Sequence, residues 1–312
     1  MLSKRDLELI FKEVNNVNNT TEKKEGEYEV DIELLNLEES VCKDLDVTYI
    51  DSSYASGVIG PYAYIYSRAV SVSPYTIKED RDFLLLSDTF FYAESYEGEK
   101  LEILDVSDIS GIISKNLEYR LAVEADTEFV VIDGSLLSDA IFYSNGIEYK
   151  ILEDKIMSRY EEFLINFKKI INTYTFSIAK RILGGKFICS NTNSENSDFM
   201  LLLSKYPEEE FYTQIFIQDM RPNITVINGG IKALYFRPRD GDHIYRLETF
   251  GNTPNEKILE FLCSTVKKQK RYPMELKLAH NRAKVTSKEK YILEHYLKNS
   301  LGLSKTVDWE TK

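Results

Sequence analysis

A short apolar run, EFVVIDG at Glu128–Gly134, constrains the fold of this chain more than any other segment. An unbroken apolar stretch that ends in Asp-Gly is typical of a strand buried at the centre of a sheet. Helical spacing of apolar residues comes before it at Ser107–Ala125 and after it at 150–172. Strands mixed with long helices indicate an α/β or α+β fold.

Further strands and helices extend this pattern along the chain. Their residue types predict strands at Asp46–Ser53, Pro61–Ser73, Phe83–Leu86 and 173–180, and in the segments FYTQIFIQ, ITVI, IKALYFRP and HIYRLETF. Apolar periodicity predicts helices at Asn255–Lys268 and Thr286–Leu301. The small residues from Ser52 to Gly57 indicate a turn after the first strand.

The N-terminal region differs from the rest of the chain. An amphipathic helix is predicted at Ser3–Val14, and the polar segment NNVNNTTEKKEGE that follows is typical of a linker. The helix is either a packed surface helix or a docking element for a partner. We therefore expect an N-terminal extension over residues 1–45, one domain over 46–302 and a C-terminal tail over 303–312.

Composition and cysteine spacing exclude several classes of protein. With 43% hydrophobic residues among 312, the chain can build a substantial core and is not globally disordered. It has no run of eighteen apolar residues to span a membrane, and its first residues do not read as a signal peptide. The cysteines, Cys42, Cys189 and Cys263, form no CxxC pair and suggest neither a zinc site nor a disulfide. We expect a soluble cytoplasmic protein.

Charge and phosphate-loop motifs bear on nucleic acids and nucleotides. The net charge of −12 argues mildly against DNA binding over the whole surface but leaves room for a local basic strip. The Gly184-Gly185-Lys186 step lacks the spacing of a phosphate-cradling loop, so ATP hydrolysis by that route is not expected.

Two predicted strands end in an aspartate followed by small residues, YIDSS at Asp51 and VIDGS at Asp133. A carboxylate beside a buried strand is costly unless it is paired, hydrogen-bonded or bound to a cation. Each aspartate could instead start a turn by bonding its own backbone. If both strands belong to one sheet, their ends could bring the two carboxylates into one cluster.

Glu118 adds a possible third carboxylate. On a helix it shares a small, apolar face with Ser114, Leu121 and Ala125, whereas Glu124 points elsewhere. An acidic residue on such a face needs a partner, which is either a metal ion or a buried basic residue. Three carboxylates can hold one or two divalent ions, and phosphodiester hydrolysis is the chemistry that most often uses them.

The segment RYPMELKLAHNRAK, with Tyr272 and His280, is the most distinctive of the chain. The alternating apolar residues before His280 predict a strand end or a strand–helix junction, where a histidine could donate to phosphate, act as an acid or bind metal. Nine basic and only two acidic residues lie between Lys267 and Lys290. They form either a strip that binds a polyanion or a solvated helix face.

Taken together, IDSS, NLEYRLAVEA with VIDGSLL, and YPMELKLAHNRAK resemble the NurA nuclease family over about residues 45–300. The family usually has Asp-Gly-Ser where this chain has Asp-Ser-Ser. The resemblance implies an α/β fold with an RNase H-like mixed sheet flanked by helices, and metal-binding Asp51, Asp133 and Glu118 with catalytic Tyr272 and His280. It also places Lys180 near the site, and we expect Lys180, Lys277, Arg282 and Lys284 to contact nucleic acid.

The resemblance further implies activity and partners. Family members are manganese-dependent nucleases, with magnesium as an alternative ion. They combine 5′→3′ exonuclease activity on single- and double-stranded DNA with single-strand endonuclease activity. They act as homodimers with HerA, a hexameric ATPase, in double-strand break end resection and recombinational repair. Two other functions stay open: a non-catalytic adaptor of that ATPase, and an RNase H-like ribonuclease.

Overall fold

The computed structural model describes residues 32–37, 42–87, 90–95, 101–147, 149–180, 187–188, 197–218, 229–239 and 242–303. The expected helix at Ser3–Val14, the expected strand ITVI and the tail beyond residue 303 lie outside these residues.

Strands form the centre of the fold. In chain order they are β1 (Val47–Ile59), β2 (Tyr62–Val72), β3 (Ile77–Leu86), β4 (Phe91–Ser95), β5 (Leu101–Leu104), β6 (Phe129–Asp133), β7 (Tyr149–Ile151), β8 (Tyr174–Ala179), β9 (Phe211–Tyr212), β10 (Phe216–Gln218), β11 (Ile231–Arg237) and β12 (Tyr245–Phe250). Within the described residues, nine of them make one sheet in the order β10-β11-β12-β8-β6-β1-β2-β3, with β9 paired to β11. The other three form a separate sheet in the order β5-β4-β7.

Helices cover the large sheet. They are α1 (Val106–Val123), α2 (Leu136–Ile147), α3 (Asp154–Ile170), α4 (Asp198–Lys205), α5 (Asn255–Leu262), α6 (Met274–Ala283) and α7 (Ser287–Ser300). After α5 the chain continues as a π-helical turn at Cys263–Lys267. The helix expected at Asn255–Lys268 is therefore present, with a change of helix type in its last part.

The topology of the sheet matches the expected core. β1, β2 and β3 form an antiparallel meander. β6, the expected central strand, runs parallel to β1 on one side and to β8 on the other. A meander followed by two parallel strands is the arrangement of an RNase H-like core. The predicted α/β class, a mixed sheet flanked by helices, is confirmed.

Alternate side chains of β6 enter two different apolar clusters. Val130 and Ile132 pack in a cluster with residues of α1, α2 and α3. Phe129 and Val131 pack in a second cluster with residues of α5 and α6. The central strand is therefore covered on both faces, as its unbroken apolar sequence predicted.

The turn predicted at Ser52–Gly57 is wrong. These residues continue β1 and pair with β2, with Ser53 opposite Arg68 and Gly57 opposite Tyr64. A Cβ at Gly57 would lie only 2.9 Å from the Tyr64 ring, so the small residue serves close strand packing rather than a turn. The chain reverses instead at Gly60, whose φ is 57°.

The strand predicted before His280 is also wrong, because this segment forms helix α6. Met274 and Leu278 of the alternating run are 44% and 39% exposed, whereas Leu276 is buried. The buried face consists of Leu276, Ala279 and Ala283, which have helical spacing of three and four residues. The alternation of apolar residues was coincidental.

Cys42 and Cys263 form a disulfide, contrary to the expectation from their spacing. They lie 221 residues apart in sequence, but the fold brings their Cα atoms to 5.2 Å. Local spacing cannot reveal a pairing of this kind. Separately, no helix among the described residues is long and apolar enough to cross a membrane.

Candidate active site

Two neighbouring strands bring two aspartates together. β1 and β6 are parallel, and Ile50 lies opposite Ile132 in their register. Asp51 and Asp133, the next residue in each strand, therefore lie side by side. Asp51 is 6% exposed, so its carboxylate is largely removed from water. The two aspartates lie on neighbouring strands of one sheet, but the expected strand end at Asp51 is wrong, because β1 continues to Ile59 and only Asp133 ends its strand.

Helix α6 packs on this part of the sheet and brings His280 to the aspartates. His280 Nδ1 lies 2.6 Å from Oδ2 of Asp51 and 3.8 Å from Oδ2 of Asp133. One possible ligand atom from each of the three residues lies within 4.8 Å of the others. The imidazole is 50% exposed while both carboxylates are largely buried, so the cluster opens to solvent at His280.

Glu118 approaches β1 from α1 and lies beside Ser52. It is fully buried and accepts hydrogen bonds from Ser52 Oγ at 2.5 Å and from Lys115 Nζ at 2.7 Å. Lys115 also donates to the main-chain carbonyl of Asp133 at 3.3 Å. Glu124 is exposed at the C-terminal end of α1. Of the two glutamates, Glu118 is the one that faces the aspartates, although a lysine already occupies one of its oxygens.

Lys180 and Tyr272 complete the surroundings of Asp133. Lys180 directly follows β8, and its ammonium group donates to the Asp133 carboxylate. The same ammonium lies 4.8 Å from the centre of the Tyr272 ring. Burial, followed by the charges of Asp133 and Asp51, raises the pKa of Tyr272 well above its usual range. Its hydroxyl therefore stays protonated and can act as a hydrogen-bond donor.

Burial makes the acidic groups costly to ionise. It raises the pKa of Asp51 to about 7, and the neighbouring charge of Asp133 adds to the effect. Burial also raises the pKa of Glu118 to about 8, although the Lys115 ammonium opposes this shift. A cation bound beside these carboxylates would stabilise their ionised forms.

The ligand types fit a divalent metal ion. Carboxylate oxygens suit magnesium and manganese, and imidazole is a common ligand of transition metals. Asp51, Asp133 and His280 offer both ligand types at one point, where helix α6 packs against β1 and β6. The exposed side at His280 leaves room for water and for a substrate oxygen.

The basic strip divides into two parts in the structure. Lys267 and Lys268 form ion pairs with Glu210 and Asp44, at 2.5 and 2.6 Å. The basic residues on or directly after α6 are exposed; they are Lys277, Arg282 and Lys284. These three residues lie on, or directly after, the helix that carries His280.

Sequence reasoning missed two groups around the site. Lys115 was overlooked, although its position three residues before Glu118 on a helix predicts contact between the two side chains. Arg246 and Glu248 on β12 were also overlooked, and both are buried next to Ser135, just after Asp133. A charged pair inside the apolar pattern HIYRLETF was the available signal.

Comparisons with known proteins agree with this geometry. The NurA domain family model matches residues 45–285. The fold is similar to the NurA nuclease from Sulfolobus solfataricus, with a TM-score of 0.67, 18% identity and 99% of each chain covered. It is also similar to NurA bound to dAMP and manganese, with a TM-score of 0.63, 15% identity, and 93% of this chain and 95% of that chain covered. A structure of NurA with manganese gives a TM-score of 0.61 at 14% identity, covering 96% and 98%. Among curated proteins, none matches the chain.

Proposed function

The chain belongs to the NurA family of nucleases, and we propose that it hydrolyses DNA phosphodiester bonds with a bound divalent metal ion. The observation that carries the proposal is the convergence of Asp51, Asp133 and His280 at one solvent-open point. Manganese is the proposed ion, with magnesium as the alternative, because two similar NurA structures contain manganese. The nuclease domain is proposed to span residues 46–302.

Asp51 and Asp133 would hold the metal ion, with Glu118 as the third carboxylate. A divalent ion held in this way activates a water molecule and stabilises the charge of the phosphate during hydrolysis. Glu118 is anchored by Ser52, the residue after Asp51, so its carboxylate is tied to the same strand. Lys115 balances the charge of Glu118 and holds the Asp133 main chain.

His280 and Tyr272 are proposed to act on the oxygens of the phosphate. Because Nδ1 of His280 is bonded to Asp51, its other ring nitrogen is left for a phosphate oxygen or the leaving group. The protonated hydroxyl of Tyr272 can donate a hydrogen bond to the same group. Lys180, between Asp133 and the Tyr272 ring, supplies a positive charge where negative charge develops in the reaction.

The outer side of α6 is the proposed path of the DNA strand. Lys277, Arg282 and Lys284 are exposed there and can contact phosphates. This local basic surface, together with Lys180, compensates at the site for a net charge of −12 over the whole chain. A partner that surrounds the DNA would supply further phosphate contacts.

Family membership also supports the finer parts of the proposal. These are 5′→3′ exonuclease activity on single- and double-stranded DNA, single-strand endonuclease activity, and homodimers that act with a HerA-type hexameric ATPase. The proposed cellular role is DNA end resection in recombinational repair. The sequence has no GxxxxGK[ST] phosphate loop, which fits a nuclease whose partner supplies the energy for DNA movement.

The decisive experiment is cleavage of end-labelled single- and double-stranded DNA, with manganese or with EDTA, by the wild type and Asp133→Asn. We expect cleavage only by the wild type and only with metal, and the position of the label reports the polarity. Asp126→Asn, the same substitution at an exposed aspartate between α1 and β6, serves as a control that keeps the metal site and the basic surface intact. A folded wild type that cuts no DNA, even with the ATPase added, would overturn the proposal.

Two alternatives are separated by the same assay. A non-catalytic adaptor would bind the ATPase. It would bind no manganese at Asp133, and it would release no label from the DNA. A ribonuclease would cut an RNA strand of the same sequence and spare the DNA strand. The buried carboxylates of Asp51 and Glu118 favour catalysis over an adaptor, because a scaffold gains nothing from burying them.

A further inference from the structure

A buried ion pair lies on β12, two strands away from Asp133. Arg246 and Glu248 are two residues apart, so they lie on the same face of the sheet. Their side chains are 4% and 0% exposed, and Arg246 Nε donates to Glu248 Oε1 at 2.6 Å. Desolvating such a pair is expensive, and apolar side chains of similar volume are often at least as stabilising. Stability alone therefore gives a poor account of its presence.

Glu248 reaches across the sheet to the first turn of α2. Its Oε2 accepts the N–H of Leu137 at 2.8 Å, and both of its oxygens lie 3.1 Å from Ser135 Oγ. Ser177 on β8 donates to Glu248 at 3.4 Å and accepts the N–H of Leu136 at 3.1 Å. The first N–H groups of a helix have no partner within it, and they favour a negative charge. Glu248 supplies both the acceptor and the charge.

The bonds of Glu248 hold the turn that follows Asp133. Gly134 has a φ of 131°, and its N–H donates to the Ile178 carbonyl at 3.3 Å. Ser135 Oγ accepts the N–H of Ser138 at 3.2 Å and a second hydrogen bond from Arg246 Nη2 at 3.4 Å. Every residue from Asp133 to Leu137 is thus bonded to a neighbouring element. The direction of the Asp133 carboxylate follows from this fixed backbone.

We propose that Glu248 and Arg246 are positioning residues, which fix the turn between β6 and α2 so that Asp133 is presented to the metal. This inference rests on the proposed function, because it takes Asp133 as a metal ligand. Glu248 would not touch the metal or the substrate. Residues that orient metal ligands typically change metal affinity by about 10- to 100-fold when they are mutated.

The test measures manganese affinity by calorimetric titration of the full-length protein, together with thermal unfolding without metal. Glu248→Ala should weaken manganese binding by about tenfold or more. Glu248→Gln keeps an acceptor for the Leu137 N–H but loses the charge opposite Arg246, so its affinity should lie between those of Glu248→Ala and the wild type.

A matched control lies next to Glu248 on the same strand. Thr249 is buried and donates to the Thr175 carbonyl at 2.8 Å. As the next residue of β12, it projects from the opposite face of the sheet. Thr249→Val should lower the melting temperature but leave manganese affinity at the wild-type value. This control separates a general loss of stability from a change in the position of Asp133.

The outcomes distinguish the inference from the proposed function. If the wild type binds no manganese, the proposed function fails, and the inference fails with it. If the wild type binds and a folded Glu248→Ala binds equally well, only the positioning role is wrong. Should Glu248→Ala not fold, Glu248→Gln decides: weakened binding supports the role, and wild-type binding overturns it.

Discussion

The ring nitrogen Nδ1 of His280, on α6, lies 2.6 Å from Oδ2 of Asp51, on β1, although 229 residues separate them. This contact joins an open helix face to a buried carboxylate, so we expect the two residues to act as one unit. His280→Ala should slow single-turnover DNA cleavage by about 10²- to 10⁴-fold if the imidazole transfers a proton. Asp51→Asn combined with His280→Ala should cost no more than the worse single change. Additive losses would show that the two side chains act separately.

Lys115 should be needed for stability because it is the cationic partner of buried Glu118. Lys115→Met leaves that carboxylate without its ion pair, and breaking such a buried pair costs about 3 kcal/mol. Glu118→Gln in the same background should recover part of the loss, because the uncompensated charge is then gone. The same substitution at exposed Lys277 is the control and should leave the urea midpoint unchanged. A stable Lys115→Met single variant would contradict this view of the pair.

Gly134 should not tolerate a side chain. Its φ of 131° is rarely adopted by other residues, and a Cβ there would lie 3.0 Å from Lys115 Nζ. Gly134→Ala should cost about 1–3 kcal/mol in the free energy of unfolding, from backbone strain. Gly111→Ala is the matched control, because Gly111 lies inside α1 with no atom near its missing Cβ. That change should stabilise the protein by up to about 1 kcal/mol, and equal effects at both positions would refute the argument.

Much of the site could be predicted from the sequence because its parts lie on two apolar strands and on a helix face. Asp51 and Asp133 each follow an apolar run, and Glu118 occupies a small-residue helix face; these local patterns are visible in one dimension. The central position of β6 in the sheet followed from its apolar sequence in the same way. The family resemblance then connected these segments with Tyr272 and His280.

The remainder depends on contacts between distant segments. Glu248 meets Ser135 across 113 residues, and no local pattern links them. The disulfide between Cys42 and Cys263 likewise joins residues that are far apart in the sequence and that no local pattern links. The error at α6 has a different cause: Met274, Leu276 and Leu278 alternate, but only Leu276 is buried, and period-two and helical patterns look alike over so short a run. The strands β4, β5 and β7 and the helices α2 and α4 were not predicted either.

The capping box of α7 should make stability depend on pH at the acidic end. Bonds from the Thr286 backbone and hydroxyl, with Arg68 adding to them, lower the pKa of Glu289 to about 2. The unfolded chain, where the usual pKa is 4.5, therefore binds a proton at higher pH than the folded protein does. The stabilising contribution is present above pH 4.5 and is lost as the pH falls toward 2.

Urea unfolding of the wild type and Glu289→Gln between pH 3 and pH 7 measures this contribution. The gap between their midpoints should narrow as the pH falls. Thr286→Ala removes the cap itself and should cost about 1 kcal/mol near neutral pH. A gap that stays constant over the whole range would mean that Glu289 contributes through something other than its charge.

The disulfide between Cys42 and Cys263 should stabilise the protein through the unfolded chain. It closes a loop of 221 residues, and a cross-link over a long loop removes much of the freedom of the unfolded state. Breaking it by reduction should lower the free energy of unfolding by about 2–5 kcal/mol.

Cys42→Ala should unfold at the same lower urea concentration with or without reductant, because it has no bond to lose. Manganese binding should be unchanged in both cases, since the bond joins the chain before β1 to the first residue of the π-helical turn, and neither cysteine belongs to the cluster of Asp51, Asp133 and His280. If thiol titration shows the bond fully reduced and the wild type still unfolds at its original urea midpoint, the disulfide does not contribute to the free energy of unfolding.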